Sequence, residues 1–326
     1  MTHELHGFVS TGQLPSTGEV ERLVQLAYEE YQALDDGRVS DVYPALAEVD
    51  PTLFGICLVG ASGRVFAEGE AEHVFPIMSV AKPFVFALVC EAIGGENLRD
   101  LVGVNSTGYP FNSLAAIERD PDGRTNPMVN SGAIATVSLA PGETREERWR
   151  FIHSGLSRFA GRDLQMMDAV LESATATNFR NRAITAALQG VGRLYSDPSE
   201  ALALYTQACS LGVTARDLAV MGATLADGGV NPITGEVVVD PVTCHYTLAV
   251  MVTAGMYEGS GDWLFTTGLP GKSGIGGGIV TVAPGKGGLG TYSPPLDPAG
   301  NSVRGKEVAA FLSRQLGLGL FVSEPV

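Results

Sequence analysis

The sequence predicts an α+β fold in which one antiparallel sheet gathers strands from both ends of the chain around a long helical insertion. Three observations predict it. Extended apolar runs occur at 54–59 and again at 278–282 and 289–292. The stretch between them is dominated by helical periodicity with capping residues at its breaks. A final helix follows the last strands, and such segregation of strands from helices belongs to α+β architectures rather than to alternating α/β ones.

Taken in order, residues 1–16 read as a loose leader, and Val20, Leu23, Leu26 and Ala27 recur at helical spacing in a helix reaching Leu34. Segments 54–59 and 64–67 flank Gly60-Ala61-Ser62-Gly63 as the two strands of a hairpin. From Ser79 to Met256 helices dominate, among them 145–160, 199–211 and 215–226, each opened by Ser, Thr or Asp or closed by Gly. The strands at 278–282 and 289–292 bracket a Gly-rich turn, and 308–312 lies on the last helix. The expected organisation is one catalytic domain over 17–326, with a sheet part at 17–78 and 258–326 and a helical part at 79–257.

Composition narrows the function. With 326 residues, 45% hydrophobic and 17% charged, the chain can bury a substantial core. The 41 glycines concentrate in places such as 274–278 and 285–290, which points to tight turns and close backbone packing. Lys and Arg number 21 against 36 Asp and Glu, and the formal charge of −15 repels phosphate backbones and anionic membranes, so neither nucleic acid nor membrane is an expected partner. The first residues lack the basic stretch and apolar run of a secretory signal, which makes the cytoplasm the expected location. Cys57, Cys90, Cys209 and Cys244 are widely spaced without a C-x-x-C pair and read as reduced, packed thiols. The five histidines form no paired-ligand spacing, and neither metal nor cofactor is expected.

The chemistry centres on Phe75-Pro76-Ile77-Met78-Ser79-Val80-Ala81-Lys82-Pro83. Ser79 stands where a helix begins, and Pro83 in the first turn costs little because early helical N–H groups lack partners. Lys82 follows one turn later on the same face, so its amine can reach the hydroxyl while the positive helix end favours an incipient alkoxide. Serine needs such activation to be a nucleophile at neutral pH. Alone, S-x-x-K also describes an N-cap followed by a solvated lysine. Lys272-Ser273-Gly274, opening a Gly-rich strand near the C-terminus, supplies a second element in the order seen in serine acyltransferases of the β-lactamase type. The third element of that group, Ser or Tyr two positions before Asn, is missing, which argues against a β-lactamase or transpeptidase.

In its place stands Asn126-Pro127-Met128-Val129-Asn130-Ser131-Gly132, followed by Phe179-Arg180-Asn181-Arg182, Leu204-Tyr205-Thr206-Gln207-Ala208-Cys209-Ser210, Gly255-Met256-Tyr257 and Leu269-Pro270-Gly271-Lys272-Ser273-Gly274. Over roughly residues 37–316 the chain strongly resembles the serine-dependent glutaminase family. The resemblance implies a β-lactamase-like fold and hydrolysis of glutamine, a small amide, to glutamate and ammonia, with no metal or cofactor. It implies Ser79 as nucleophile, Lys82 as its activating partner and Tyr257 as a hydroxyl relay. Asn130, Asn181 and Tyr205 fall on substrate-contacting positions, and Ile275 is expected to join Ser79 in lending a backbone N–H to the oxyanion. The family's habit of assembly implies a homodimer or homotetramer.

Two positions depart from the family pattern. Where the family reads Asp-Tyr-Ile-Pro, this chain has Asp41-Val42-Tyr43-Pro44, and in extended backbone the offset would turn Tyr43 to the opposite face. The family's glutamate seven residues before Asn181, expected to pair with the substrate ammonium, falls on Ala174, with Glu172 or Asp168 expected to reach the pocket instead by a local shift of the helix. A related amidase for a different small amide, or a catalytically silent binding module, are therefore the alternatives. Gly271-Lys272-Ser273 lacks the leading glycine and following helix of a phosphate-binding loop, and 285–290 fits G-x-G-x-x-G only as a hairpin turn, because Pro294-Pro295 cannot open a helix.

Overall fold

The computed structural model of the protein describes residues 16–322. Eight strands are present among them: β1 (Gly55–Gly60), β2 (Val65–Gly69), β3 (Phe75–Pro76), β4 (Gln165–Met166), β5 (Leu211–Val213), β6 (Gly271–Ser273), β7 (Gly278–Ala283) and β8 (Gly287–Tyr292). Five of them form an antiparallel sheet in the order β2-β1-β8-β7-β6. Its seam is the pairing of β1 with β8, where Leu58 lies opposite Leu289 and the two ends of the chain meet, as the segregated pattern predicts. Sequence 285–290 is the turn and start of the β7–β8 hairpin, with Gly285 in the left-handed region.

Helices cover both faces of this sheet. Thr17–Tyr31 and Val303–Gln315 pack on one face, burying Val20, Leu23, Val24 and Ala27 against Ile56, Ile279, Val308 and Leu312. The Ala215–Ala226 helix lies directly on the other, and here the glycines of β8 have a clear purpose. A Cβ on Gly288 would stand 2.3 Å from the Ala219 oxygen, and one on Gly290 2.0 Å from the Ala215 oxygen. Only bare backbone lets the helix sit so close. Behind it the Ala81–Ile93 helix runs through the larger core with every residue from Ala81 to Cys90 buried, as expected of a helix that is apolar on all sides. No single helix among the described residues is long and apolar enough to cross a membrane.

Local details differ from the sequence expectation. The first helix ends at Tyr31 rather than Leu34, and Leu26 faces outward while Val24 completes the buried i, i+3, i+4, i+7 stripe. The 199–211 helix closes at Cys209, and the chain continues as β5, the centre of a small sheet ordered β3-β5-β4. Strands of two or three residues are too short to leave a periodic signal. The expected leader lies outside the described residues apart from Ser16.

Candidate active site

The small sheet delivers the chain to Ser79. Ile77 N–H donates to the Leu211 carbonyl at 2.8 Å, after which Met78–Val80 form a 3₁₀ turn leading into the Ala81–Ile93 helix. Met78 at φ 47° and Tyr257 at φ 56° are the two non-glycine residues with left-handed backbone among those described. Such conformations cost on the order of 1 kcal/mol each, and the surrounding structure must enforce them. Both flank the site: Met78 precedes the serine, and Tyr257 presents its hydroxyl to the strand end that packs on it.

Lys82 Nζ lies 3.1 Å from Ser79 Oγ and 2.7 Å from Asn130 Oδ1, and all three residues are buried. The Tyr205 hydroxyl also donates to Asn130 Oδ1, at 3.2 Å, while Asn130 Nδ2 donates to Asn181 Oδ1 at 2.9 Å. With two donors on its oxygen and an acceptor at its nitrogen, the Asn130 amide is held in one orientation. The loop before it is equally constrained: Asn126 Oδ1 accepts from Met128 N–H at 2.9 Å, and Gly132 leaves no room for a Cβ, which would meet the Asn126 oxygen at 2.0 Å. The N-P-M-V-N-S-G sequence thus works as a brace that aims Asn130 at Lys82.

Burial sets the electrostatics. Lys82 has no acidic partner, and desolvation lowers its pKa to about 8, within reach of a neutral amine near physiological pH. Lys272 is fully buried on β6, donates to the Gly255 and Ser273 carbonyls, and sits 4.2 Å from the centre of the Tyr257 ring. Burial first, and then the charge on Lys82, hold it well below the usual lysine range. Tyr257 donates to the Ser273 carbonyl at 3.0 Å, and burial keeps its phenol protonated, with the Ser79 hydroxyl acting in the opposite sense. The end of β6 passes against Ser79 so closely that a Cβ on Gly274 would stand 3.4 Å from the Ser79 nitrogen.

Ser79 opens onto a cavity of about 120 Å³ whose walls include Asn130, Asn181, Tyr205 and Ile275, so the structure brings these four sequence candidates together. Tyr257 and Lys82 stand behind this wall rather than in it, reaching the serine through the contacts above. Among the described residues no group of His, Cys, Asp and Glu is arranged to hold a metal ion.

The glutaminase family model matches residues 37–321. The chain is 63% identical to Glutaminase 2 of Yersinia pestis, over 98% of its own length and 94% of that protein's, and 48% identical to a glutaminase of Brucella canis, over 88% and 90%. The chain belongs to the glutaminase family. Among solved structures, a probable glutaminase, ybaS, superimposes with a TM-score of 0.93 at 41% identity, covering 95% of this chain and all of that one. A probable glutaminase from Bacillus subtilis, complexed with 6-diazo-5-oxo-L-norleucine, gives 0.84 at 28% identity, covering 95% and 99%. The fold is β-lactamase-like, as the resemblance implies, and the α+β order of elements agrees with it.

Within this glutaminase framework the two departures turn out differently from expectation. The chain bends at 42–43 into the short Pro44–Ala47 helix instead of running on as a strand, so alternation of faces does not apply. Val42 and Tyr43 both line the cavity, and the Tyr43 hydroxyl points at Asn178 Oδ1 from 3.5 Å. Burial lifts its pKa to about 12. Glu172 and Asp168, in contrast, are exposed and outside the cavity. Ala174 is the buried, cavity-facing residue of the Asp168–Thr177 helix, and the two acids lie roughly 200° to 240° around that helix from it.

Sequence reasoning missed other residues of the site. Phe111, from an irregular loop, packs 4.5 Å from Tyr257, centre to centre, and left no motif to find it by. Asn178 precedes and Arg180 lies within the Phe179-Arg180-Asn181-Arg182 motif, so the neighbourhood of Asn181 was the available signal. Cys209 is a packed thiol as expected, lifted to about 11 by burial, yet it faces the cavity beside Tyr205 and Lys82.

Proposed function

We propose that the protein hydrolyses L-glutamine to L-glutamate and ammonia through an acyl-enzyme on Ser79. The observation that carries this is the buried Ser79–Lys82 pair, 3.1 Å apart, with an amine whose pKa near 8 lets it accept the hydroxyl proton. Lys82 takes that proton as Oγ attacks the carboxamide carbon. Asn130 holds the amine on line through its oxygen, and its other bonds to Tyr205 and Asn181 keep that oxygen in place. The oxyanion goes to the backbone N–H groups of Ser79 and Ile275, neither of which donates to another backbone group in the turns around it. Tyr257 relays the proton from Lys82 to the departing nitrogen, giving ammonia and an ester. Water then attacks the ester carbon, the same base accepts its proton, and glutamate leaves with the Ser79 hydroxyl restored.

Asn181 contributes its Nδ2 hydrogens toward the substrate carboxylate, since its oxygen is engaged with Asn130. Tyr205 completes that wall. No step calls for a metal or cofactor. The protein acts in the cytoplasm as a single catalytic domain, assembled as a homodimer or homotetramer, and its charge of −15 keeps nucleic acids away.

Ser79→Ala tests the reading. Ammonia release from glutamine should fall by about 10⁴-fold or more, while the melting transition stays within about 1 kcal/mol of wild type, the usual scale for loss of one helix-start hydroxyl. A folded variant retaining a tenth of wild-type turnover would rule out a serine mechanism.

A further inference from the structure

The charges around the Ser79 cavity are of one sign. Among the described residues its lining contains no Asp or Glu, and its charged member is Arg180, whose Nε donates to the Asn112 carbonyl at 2.7 Å at the mouth. Behind the wall stand two buried amines, Lys82 and Lys272. Nearby acids are directed elsewhere: Glu172 lies on the outer side of its helix, Glu258 is exposed, and Asp297 is bonded to Lys306 at 2.8 Å. Where a counter-ion for a bound cation could project, the cavity presents the methyl group of Ala174.

L-Glutamine enters such a site as a zwitterion. Its carboxylate finds a guanidinium and the amide N–H groups of Asn181, whereas its ammonium finds neutral oxygens and no carboxylate. Desolvating an unpaired ammonium is unfavourable, so this group lowers affinity instead of raising it. Resting on the Ser79–Lys82 hydrolysis described above, we propose that the site recognises a γ-carboxamide bearing a carboxylate and discriminates against positive charge at the α-position, so that glutaramate, the amide lacking the α-amino group, is a better substrate than glutamine. The chemistry is unchanged: the C–N bond breaks, Ser79 Oγ bonds the acyl carbon, nitrogen leaves as ammonia with the serine proton, and water releases the dicarboxylate.

The test is ammonia release from glutaramate and from L-glutamine at one pH, in wild type, Ala174→Glu and Ala174→Gln. Wild type should show kcat/KM for glutaramate about tenfold above that for glutamine, mainly through KM. Ala174→Glu should raise the glutamine value relative to glutaramate by about tenfold or more, whereas the equally long but neutral Ala174→Gln should leave the ratio within about threefold of wild type. Wild type preferring glutamine would overturn the proposal, and so would an equal shift in both variants, because bulk rather than charge would then set selectivity. The wild-type comparison is decisive by itself should either variant fail to fold. Release of ammonia from neither amide would instead overturn the hydrolytic reading on which the proposal rests.

Discussion

The two sides of the Ser79 cavity are built to different standards. On the catalytic side, Ser79, Lys82, Asn130, Asn181 and Tyr205 are buried and joined by contacts of 2.7–3.2 Å, with two strained backbones holding the approach. On the opposite side, Val42 is exposed, Tyr43 is half-buried, and the contact from Tyr43 to Asn178 is stretched to 3.5 Å. A hydrogen bond at that distance contributes little. The comparison teaches that the geometry of proton transfer is over-determined while the substrate-facing wall is not. Both departures from the family pattern, Tyr43 and Ala174, fall on the loosely built side.

The difference can be broken most forcefully at Lys82. Lys82→Met keeps the stem and removes the base, and kcat should fall by about 10³-fold with little change in KM, as measured by steady-state ammonia release. Retention of wild-type kcat would place the base elsewhere. Asn130→Asp probes the same side more finely by setting a carboxylate 2.7 Å from the amine. Opposite charge stabilises the ammonium and raises the Lys82 pKa, so less neutral amine is present at pH 7. The alkaline rise of the rate should move to higher pH, and kcat/KM at pH 7 should drop about tenfold for each pH unit of that movement. An unmoved profile would show that Asn130 does not act through Lys82. On the loose side, Tyr43→Phe should change KM by less than about threefold, because the hydroxyl it removes makes one long contact. A much larger effect would mean that Tyr43 is a substrate anchor and that the two walls are closer to equal.

The same contrast explains what was legible in the sequence. The strand–helix–strand order and the S-x-x-K spacing could be read directly, because a helical turn dictates the distance from Ser79 to Lys82. The N-P-M-V-N-S-G and 179–182 motifs pointed to Asn130 and Asn181, although sequence could not tell that Asn130 spends its oxygen on Lys82. Tyr43 was misjudged because alternation holds only in a strand, and a bend ahead of Pro44 abolished it. Glu172 and Asp168 were misjudged because closeness along a helix was taken for reach, whereas position around the helix decides which face a carboxylate serves. Phe111 and the contact of Lys272 with Tyr257 depend on tertiary packing with no local signature. The short strands β3, β4 and β5, which carry the chain to Ser79, were too brief to register.

The central claim, that burial alone tunes Lys82 to be the base for Ser79, is tested most directly by the pH dependence of kcat/KM in the wild-type protein. Only the neutral amine can take the serine proton, and its pKa lies near 8. The rate should therefore climb about tenfold per pH unit on the acid side, bend near pH 8 and level off above pH 9. A profile that is flat from pH 6 to pH 9, in a protein whose fold is unchanged over that range, would contradict it.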